Sequence, residues 1–178
     1  MMYNQSHISP WTELYQMKLE IIRKLEVELE KLNHELRVDI PRELKRAADY
    51  GDLSENAEYD AAKQRKVFVE ARIGHLQKRI GEILSINLNS IPTDRVGLGS
   101  SVKLSDVNTG DELTYTFVFP EEVDPDNGRI SLASPVGKAM VGRKDGDEVV
   151  VTTPKGQRRF EIIDLVTMHD RAADGQQA

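Results

Sequence analysis

Five acidic side chains lie close together between positions 49 and 60: Asp49, Asp52, Glu55, Glu58 and Asp60. No lysine or arginine occurs between positions 46 and 63, although the flanking sequence mixes both charges. Such a group of like charges repels itself unless a positive partner offsets it. Mg²⁺ prefers carboxylate oxygens and commonly binds one or two protein carboxylates. Asp52 and Glu55 have the i, i+3 spacing of one helix face, so they could provide such a pair of Mg²⁺ ligands.

A purely structural role explains the same two acids. Asp52 has the position of an N-cap for a following helix, and Glu55 lies three residues later, as in a capping box. The helix dipole favours both charges there. This interpretation leaves the other three acids unexplained, and it is compatible with metal contact, so both remain open.

A small basic group follows the acids, formed by Lys63, Arg65 and Lys66. Lys63 and Lys66 fall on one helix face. A solvated helix face is the usual meaning of such a group. Beside an acidic cluster, however, the two lysines are candidates for contact with an RNA phosphate.

Two apolar seams predict the elements that position these charges. The first seam consists of Ile22, Leu25, Leu29, Leu32 and Leu36, continued less strictly by Ile40, Leu44 and Ala47. The second consists of Val69, Ile73, Leu76, Ile80 and Ile83. Steps of three and four residues are typical of coiled-coil helices, so residues 12–85 are predicted to form an antiparallel hairpin.

The acidic cluster falls between the two seams, where the chain must reverse. Gly51 follows the first helical pattern and polar residues open the next, which places the tip of the hairpin at residues 49–60. Pro41 lies inside the first helix and predicts a kink or a new helix start near residues 38–41. Helices of 30 to 35 residues would give a hairpin on the order of 45–50 Å long, projecting into solvent.

The sequence after the hairpin changes to glycine, valine, threonine and turn dipeptides, which predicts a β-rich domain. Residues 86–98 are interpreted as a linker, residues 99–167 as the domain, and residues 1–11 and 168–178 as disordered. The predicted strands are residues 101–104, 113–119, 129–132, 148–152 and 159–166. Ser134 and Pro135 predict the N-cap and first position of a short helix that ends at Gly142. The fold class is therefore α+β.

Composition excludes several classes of function. The net charge of −6 argues against a protein that wraps duplex nucleic acid. The chain has no cysteine, and its four histidines show no paired metal-ligand spacing. No apolar run approaches a membrane span and no signal peptide is recognisable, so we expect a cytoplasmic protein with no membrane association.

Two separated motifs resemble the Gre family of bacterial transcription elongation factors. Residues 51–63 read GDLSENAEYDAAK and are similar to the tip signature of that family. Residues 134–144, SPVGKAMVGRK, and 146–149, GDEV, are similar to its C-terminal domain. With the helix pair included, the similarity extends over residues 12–167.

The resemblance implies a transcript-cleavage factor that is not an enzyme by itself. Its hairpin would enter the secondary channel of bacterial RNA polymerase, and its FKBP-like C-terminal domain would dock on the channel rim. Asp52 and Glu55 match the two catalytic acids of the family. They would help to hold a weakly bound Mg²⁺ in the polymerase active site, where a backtracked transcript is cut near the 3′ end of the nascent RNA. No cofactor would be bound stably, and we expect a monomer when the protein is free.

The resemblance also suggests residues that support these roles. Gly51, Ser54, Asn56, Glu58 and Tyr59 match the tip, and Ser134, Pro135, Lys138 and Gly142 match the docking domain. One departure is Ala48, which stands where the family often has a basic residue. Its absence weakens the RNA-facing patch and bears on cleavage efficiency rather than on the binding site.

Three other functions remain open from the sequence. A Gre-like regulator could enter the same channel without stimulating cleavage, although retention of both acids argues against it. A chaperone or prolyl isomerase would need a pocket lined by aromatic residues, and the domain offers only Tyr115, Phe117, Phe119 and Phe160. A coiled-coil adaptor would use the acids only for solubility.

Overall fold

A computed structural model describes residues 9–49, 56–153 and 156–174 of the chain. The chain divides into two compact units. One unit is Met17–Asn87, and the other combines Met1–Gln16 with Leu88–Ala178. Both are consistent with the α+β class, because the first is helical and the second contains the sheet.

Among the described residues, the helical unit contains two whole helices and most of a third. Helix α1 spans Pro10–His34 and belongs to this unit from Met17 onward, α2 spans Ile40–Asp49 and α3 spans Ala57–Ser85. A π-helical turn over Glu35–Asp39 joins α1 to α2 without a break in the helical path. The predicted pairing of two long helical arms around a reversal is confirmed.

The two apolar seams pack against each other as the periodicity predicts. Ile40, Val69 and Ile73 form a buried cluster. The half-buried residues packed against it are Leu29, Leu32, Leu36 and Leu44. Burial of this stripe stabilises the hairpin, because each buried aliphatic side chain contributes roughly 1.5–3 kcal/mol relative to exposure.

The predicted irregularity near Pro41 is present as the π turn. Proline lacks an N–H, and its ring clashes with the carbonyl four residues earlier in an ordinary α-helix. A π turn widens the helix by one residue and changes this hydrogen-bond pattern. The extra residue is also visible in the apolar seam. Its steps alternate between three and four residues up to Leu36, so the next step should be three, but Ile40 follows after four. The insertion therefore keeps Ile40 in the buried cluster.

The second unit contains a five-stranded mixed sheet in the order β3-β2-β1-β5-β4. The strands are β1 Ser101–Asp106, β2 Glu112–Val118, β3 Arg129–Ser131, β4 Glu148–Thr153 and β5 Gly156–Val166. Only β2 and β3 pair in parallel among these strands, and the other neighbours are antiparallel. All five strands were predicted, with ends that differ by up to three residues.

One face of the sheet forms the core of this unit together with a short helix. Helix α4, Pro135–Met140, contributes Met140, which is fully buried with Phe117, Leu104 and Ile162. Gly137 lies against the turn before the helix, so close that an added Cβ would overlap the carbonyl oxygen of Ser131. The packing of α4 on the sheet therefore depends on this glycine.

Three boundaries in the sequence interpretation were wrong. Helix α1 begins at Pro10, inside a segment expected to be disordered, and helix α5 spans Met168–Asp174 in the other such segment. The interpretation of residues 86–98 as a linker was also wrong in part, because Ile91 and Val96 are buried in the second unit. Long-range packing orders these segments, and the local sequence carries little signal of it. Across the described residues no helix combines the length and apolarity needed to cross a membrane.

Candidate functional site

The two arms of the hairpin are joined at the acidic cluster by the side chain of Asn56. Its Nδ2 donates a hydrogen bond of 2.6 Å to the carbonyl oxygen of Ala47, in the last turn of α2. Its Oδ1 accepts hydrogen bonds of 3.1 Å from the backbone N–H groups of Glu58 and Tyr59, in the first turn of α3. One side chain thus bonds to the end of one helix and to the start of the next.

Asn56 is the N-cap of α3, so the interpretation of Asp52 as that cap was wrong. Asparagine is among the strongest N-cap residues because its side-chain oxygen can accept from the first free N–H groups of a helix. The sequence signal for Asn56 was its position directly before the helical pattern. It was overlooked because Asp52 and Glu55 together match the more familiar capping box.

The predicted catalytic and metal-binding acids, Asp52 and Glu55, lie outside the described residues, as do Gly51 and Ser54. The structure therefore leaves their predicted roles as predictions. It does place the described acids of the cluster. Asp49 ends α2, and Glu58 and Asp60 lie in the first turn of α3, where the helix dipole favours negative charge.

Lys63 is held by its neighbours on α3. Its Nζ lies 2.7 Å from Oδ1 of Asp60 and 4.9 Å from the centre of the Tyr59 ring. The hydrogen bond to Asp60 raises the pKa of the Lys63 ammonium above its usual value. Lys63 therefore stays charged and partly offsets the acids beside it.

The other two members of the basic group differ in their partners. Arg65 forms a two-point ion pair with Glu35 of the π turn, with Nε–Oε1 and Nη2–Oε2 distances of 2.5 and 2.9 Å. The hydrogen bond from Arg65 lowers the pKa of Glu35. Lys66 forms only a long ion pair of 3.9 Å with Glu70. Arg65 therefore joins the two arms of the hairpin, whereas Lys66 is weakly held.

The C-terminal candidates surround helix α4. Ser134 caps this helix by accepting a hydrogen bond of 3.0 Å from the N–H of Gly137, and Pro135 is its first residue, as predicted. Gly142 follows the helix with a φ of 77°, a conformation that favours glycine. Lys138 and Gly142 line a groove of about 540 Å³. The other residues along it are Ala139, Val141, Arg143, Asp147, Glu148, Val149 and Val150.

Comparisons with known proteins match both units. Residues 15–83 match the family model described as the N-terminal domain of transcription elongation factors. Residues 91–166 match the model described as the GreA/GreB C-terminal domain. The chain belongs to the GreA/GreB family of transcription elongation factors.

Individual GreA proteins are similar to this family member over most of its length. Transcription elongation factor GreA of Nitratidesulfovibrio vulgaris is 41% identical over 149 residues, which are 84% of this chain and 91% of that protein. GreA of Clostridium beijerinckii is 44% identical over 151 residues, or 85% and 94% of the two chains. The crystal structure of GreA factor homolog 1 of Thermus thermophilus is 33% identical and covers 82% of this chain and 94% of its own, with a TM-score of 0.38.

The described part of this GreA/GreB family member has no group of three or more histidine, aspartate or glutamate side chains placed to hold a metal ion. Sequence reasoning also missed two contacts that join the two arms of the hairpin, the Asn56–Ala47 hydrogen bond and the Arg65–Glu35 ion pair. Each joins residues that are distant along the chain or on different helices. No local pattern identifies such pairs.

Proposed function

We propose that this factor binds bacterial RNA polymerase and stimulates the polymerase's own cleavage of backtracked nascent RNA, which rescues arrested complexes. In this proposal the hairpin enters the secondary channel, and its tip reaches the 3′ end of the RNA. One observation carries the proposal. The acid-bearing signature of the family falls between the ends of α2 and α3, and Asn56 joins those ends.

The proposed chemistry assigns a limited task to this chain. Asp52 and Glu55 would donate carboxylate oxygens, and a Mg²⁺ held there would stabilise the attacking and leaving oxygens of the phosphodiester displacement. Two carboxylates leave the remaining ligands and the exclusion of water to the polymerase. Lys66 would contact an RNA phosphate, and Lys63 would do so after leaving its ion pair with Asp60. The chain therefore contributes to a composite active site and is not a stand-alone enzyme.

The groove beside α4 is the surface through which this chain is proposed to dock on the polymerase. Val141 and Val150 are each half exposed beside it, and Lys138 presents a positive charge. A surface with apolar side chains inside a polar rim is typical of protein interfaces. Ser134 and Pro135 support this surface by fixing the start of α4.

The packing of the aromatic residues disfavours a prolyl isomerase. Phe117, Phe119 and Phe160 are all buried, and Tyr115 packs partly buried against the same core. Aromatic side chains that fill a core cannot also line an open proline pocket. The adaptor and the non-cleaving regulator are separated from the proposed function by experiment.

The test compares the intact factor with Asp52→Asn/Glu55→Gln on stalled, backtracked elongation complexes. These substitutions remove both charges and retain the shape of the side chains. Glu26→Gln/Glu30→Gln, at two exposed acids of α1, is the matched control for the loss of two charges. RNA length and polymerase binding are measured separately at several Mg²⁺ concentrations.

We expect the intact factor and the control to shorten the RNA from its 3′ end. The tip variant should bind polymerase equally and lose cleavage by at least about a hundredfold, as expected for the loss of both transition-state ligands. Binding of the intact factor without cleavage would instead establish a regulator. Absence of binding would overturn the proposal and favour the adaptor.

A further inference from the structure

Strand β4 lies at one end of the sheet and presents one side of its backbone to the outside. It is the last strand in the order β3-β2-β1-β5-β4 and, among the described residues, it pairs with β5 alone. The side of β4 that faces away from β5 is called its free edge below. We infer that the polymerase docks by adding an extended segment of its own chain to this free edge. The inference rests on the proposed function and deepens it, because it names the form of the partner that the groove beside α4 receives.

The register of the sheet identifies the backbone groups that face the free edge. Val150 lies opposite Arg159 of β5. The carbonyl oxygen of Arg159 accepts a hydrogen bond of 3.0 Å from the N–H of Val107, which follows β1, so the backbone groups of Arg159 point away from β4. Val150 and Arg159 are therefore a non-hydrogen-bonded pair, and the N–H and C=O of Val150 point to the free edge. By the same alternation, those of Glu148 and Thr152 do so as well.

The opposite edge of the sheet is protected, whereas the free edge of β4 is open. Strand β3 has only three residues, and Arg129 exchanges two hydrogen bonds of 2.9 Å with Asp124, which precedes the strand. Short edge strands, covering segments, charges, prolines and bulges are the usual protection against strand addition. Over its six residues, β4 has no proline, no bulge in its pairing with β5, and one charged residue, Glu148. Its free edge is therefore suited to accept another strand.

The chemistry of the free edge selects an extended polypeptide as the partner. Along it, N–H donors and C=O acceptors repeat every two residues, or about 6.8 Å. A second strand offers both kinds of group at the same repeat. An α-helix uses its own N–H and C=O groups internally, and the phosphates of a nucleic acid only accept hydrogen bonds. Strand addition of this kind gains affinity from main-chain hydrogen bonds and specificity from contacts of alternate side chains.

The groove beside α4 provides side-chain contacts for such a segment. Its lining includes Glu148, Val149 and Val150, so the groove is continuous with the free edge. Val150 is half exposed, which favours an apolar residue opposite it on the added strand. Glu148 is exposed near the start of β4 and favours a basic residue at that end of the segment. The polymerase segment that fits this surface is therefore extended, with an apolar residue near a basic one.

The test replaces Val150 by proline and by threonine in the full-length factor. Val150→Pro removes the outward N–H and retains an apolar side chain, and proline is accepted in an edge strand where the N–H faces away from the sheet. Val150→Thr is the matched control, because it retains the N–H and the β-branched shape and loses the apolar character. Polymerase affinity, circular dichroism and denaturant unfolding are measured for each variant. Amide exchange at Glu148, Val150 and Thr152 is measured for the intact factor with and without polymerase.

We expect Val150→Pro to lose affinity for polymerase by at least about tenfold, because a main-chain hydrogen bond to the added strand is lost. Val150→Thr should lose affinity by no more than about threefold. In the intact factor, polymerase should slow amide exchange at all three edge positions. Equal affinity of Val150→Pro and the intact factor, or unchanged exchange in the bound factor, would overturn the inference. If Val150→Pro does not fold, the exchange measurement decides by itself.

Two further outcomes separate this inference from the proposed function. Polymerase binding without RNA cleavage overturns the proposed function alone, and the Val150 comparison still decides the inference. Protection of the same amides that increases with factor concentration, in the absence of polymerase, identifies a second copy of this chain as the occupant and overturns the inference alone. Absence of polymerase binding overturns both.

Discussion

Lys63 and Lys66 occupy one face of α3 but differ in how tightly they are held. Lys63 bonds to Asp60 at 2.7 Å and lies over Tyr59, whereas Lys66 reaches Glu70 only at 3.9 Å. Exposed ion pairs contribute between about 0 and 1 kcal/mol, and a long pair is readily exchanged for a phosphate. At the residue scale, Lys66 is therefore the better candidate for the proposed RNA contact, whereas Lys63 is already paired with Asp60.

Substitution of Lys66 by alanine should reduce RNA cleavage by about threefold and weaken its dependence on salt, because one phosphate contact is lost. Lys78→Ala is the matched control, since Lys78 forms an i, i+4 pair of the same 3.9 Å length with Glu82 farther along α3. Cleavage rates at several salt concentrations provide the measurement. Equal effects of the two substitutions would contradict the assignment of Lys66.

At the scale of elements, the glycines within helices differ in how much space a Cβ atom would have. Gly74 and Gly81 lie inside α3, with no atom within 4 Å of the position that a Cβ would occupy. A helix with glycine in its interior is less stable than the same helix with alanine, because glycine gives the unfolded chain more conformational freedom. Gly137 in α4 is the opposite case, because an added Cβ would lie 2.6 Å from Cα of Leu132.

Gly74→Ala and Gly81→Ala should each raise the free energy of unfolding of the helical unit by about 0.5–1 kcal/mol. Gly137→Ala should lower that of the sheet-containing unit by about 1–3 kcal/mol through overpacking. Denaturant unfolding followed by circular dichroism measures all three variants. Stabilisation by alanine at Gly137 would show that α4 can move away from the turn at residues 131–132.

At the scale of the whole molecule, the start of α1 and helix α5 both contribute to the sheet-containing unit. Trp11 packs edge-on against the ring of His169, with ring centres 4.8 Å apart. Nε2 of His169 lies 2.9 Å from the carbonyl oxygen of Ile91 and can donate a hydrogen bond to it. Arg171 of α5 donates to the carbonyl of Gly99 at 3.2 Å. These contacts hold the start of α1 and helix α5 on the same unit.

His169→Ala should lower the stability of this unit, by about 1 kcal/mol for the hydrogen bond and about 0.5–1.5 kcal/mol for the ring contact. The fluorescence of Trp11, the single tryptophan of the chain, should shift toward that of exposed indole. His75→Ala, at an exposed position of α3, is the control. An unchanged emission spectrum in His169→Ala would contradict the packing of Trp11 against α5.

The sequence by itself determined the features that depend on local pattern. The steps of three and four residues predicted the paired arms, the turn dipeptides predicted five strands, and Ser134 with Pro135 predicted the start of α4. These predictions succeed because apolar periodicity, helix capping and turn conformation depend on residues that are close together in the sequence. The family signature at the tip was also recognisable, although the roles of Asp52 and Glu55 stay predictions.

Only the tertiary structure decided which distant residues meet. It selected Asn56 over Asp52 as the cap, because the amide of Asn56 also reaches Ala47 on the other arm. It paired Arg65 with Glu35 and ordered Met168–Asp174 against the unit that contains Ile91. The physical reason is common to all three cases: each depends on a favourable contact between residues of different elements, and folding, rather than local propensity, brings them together.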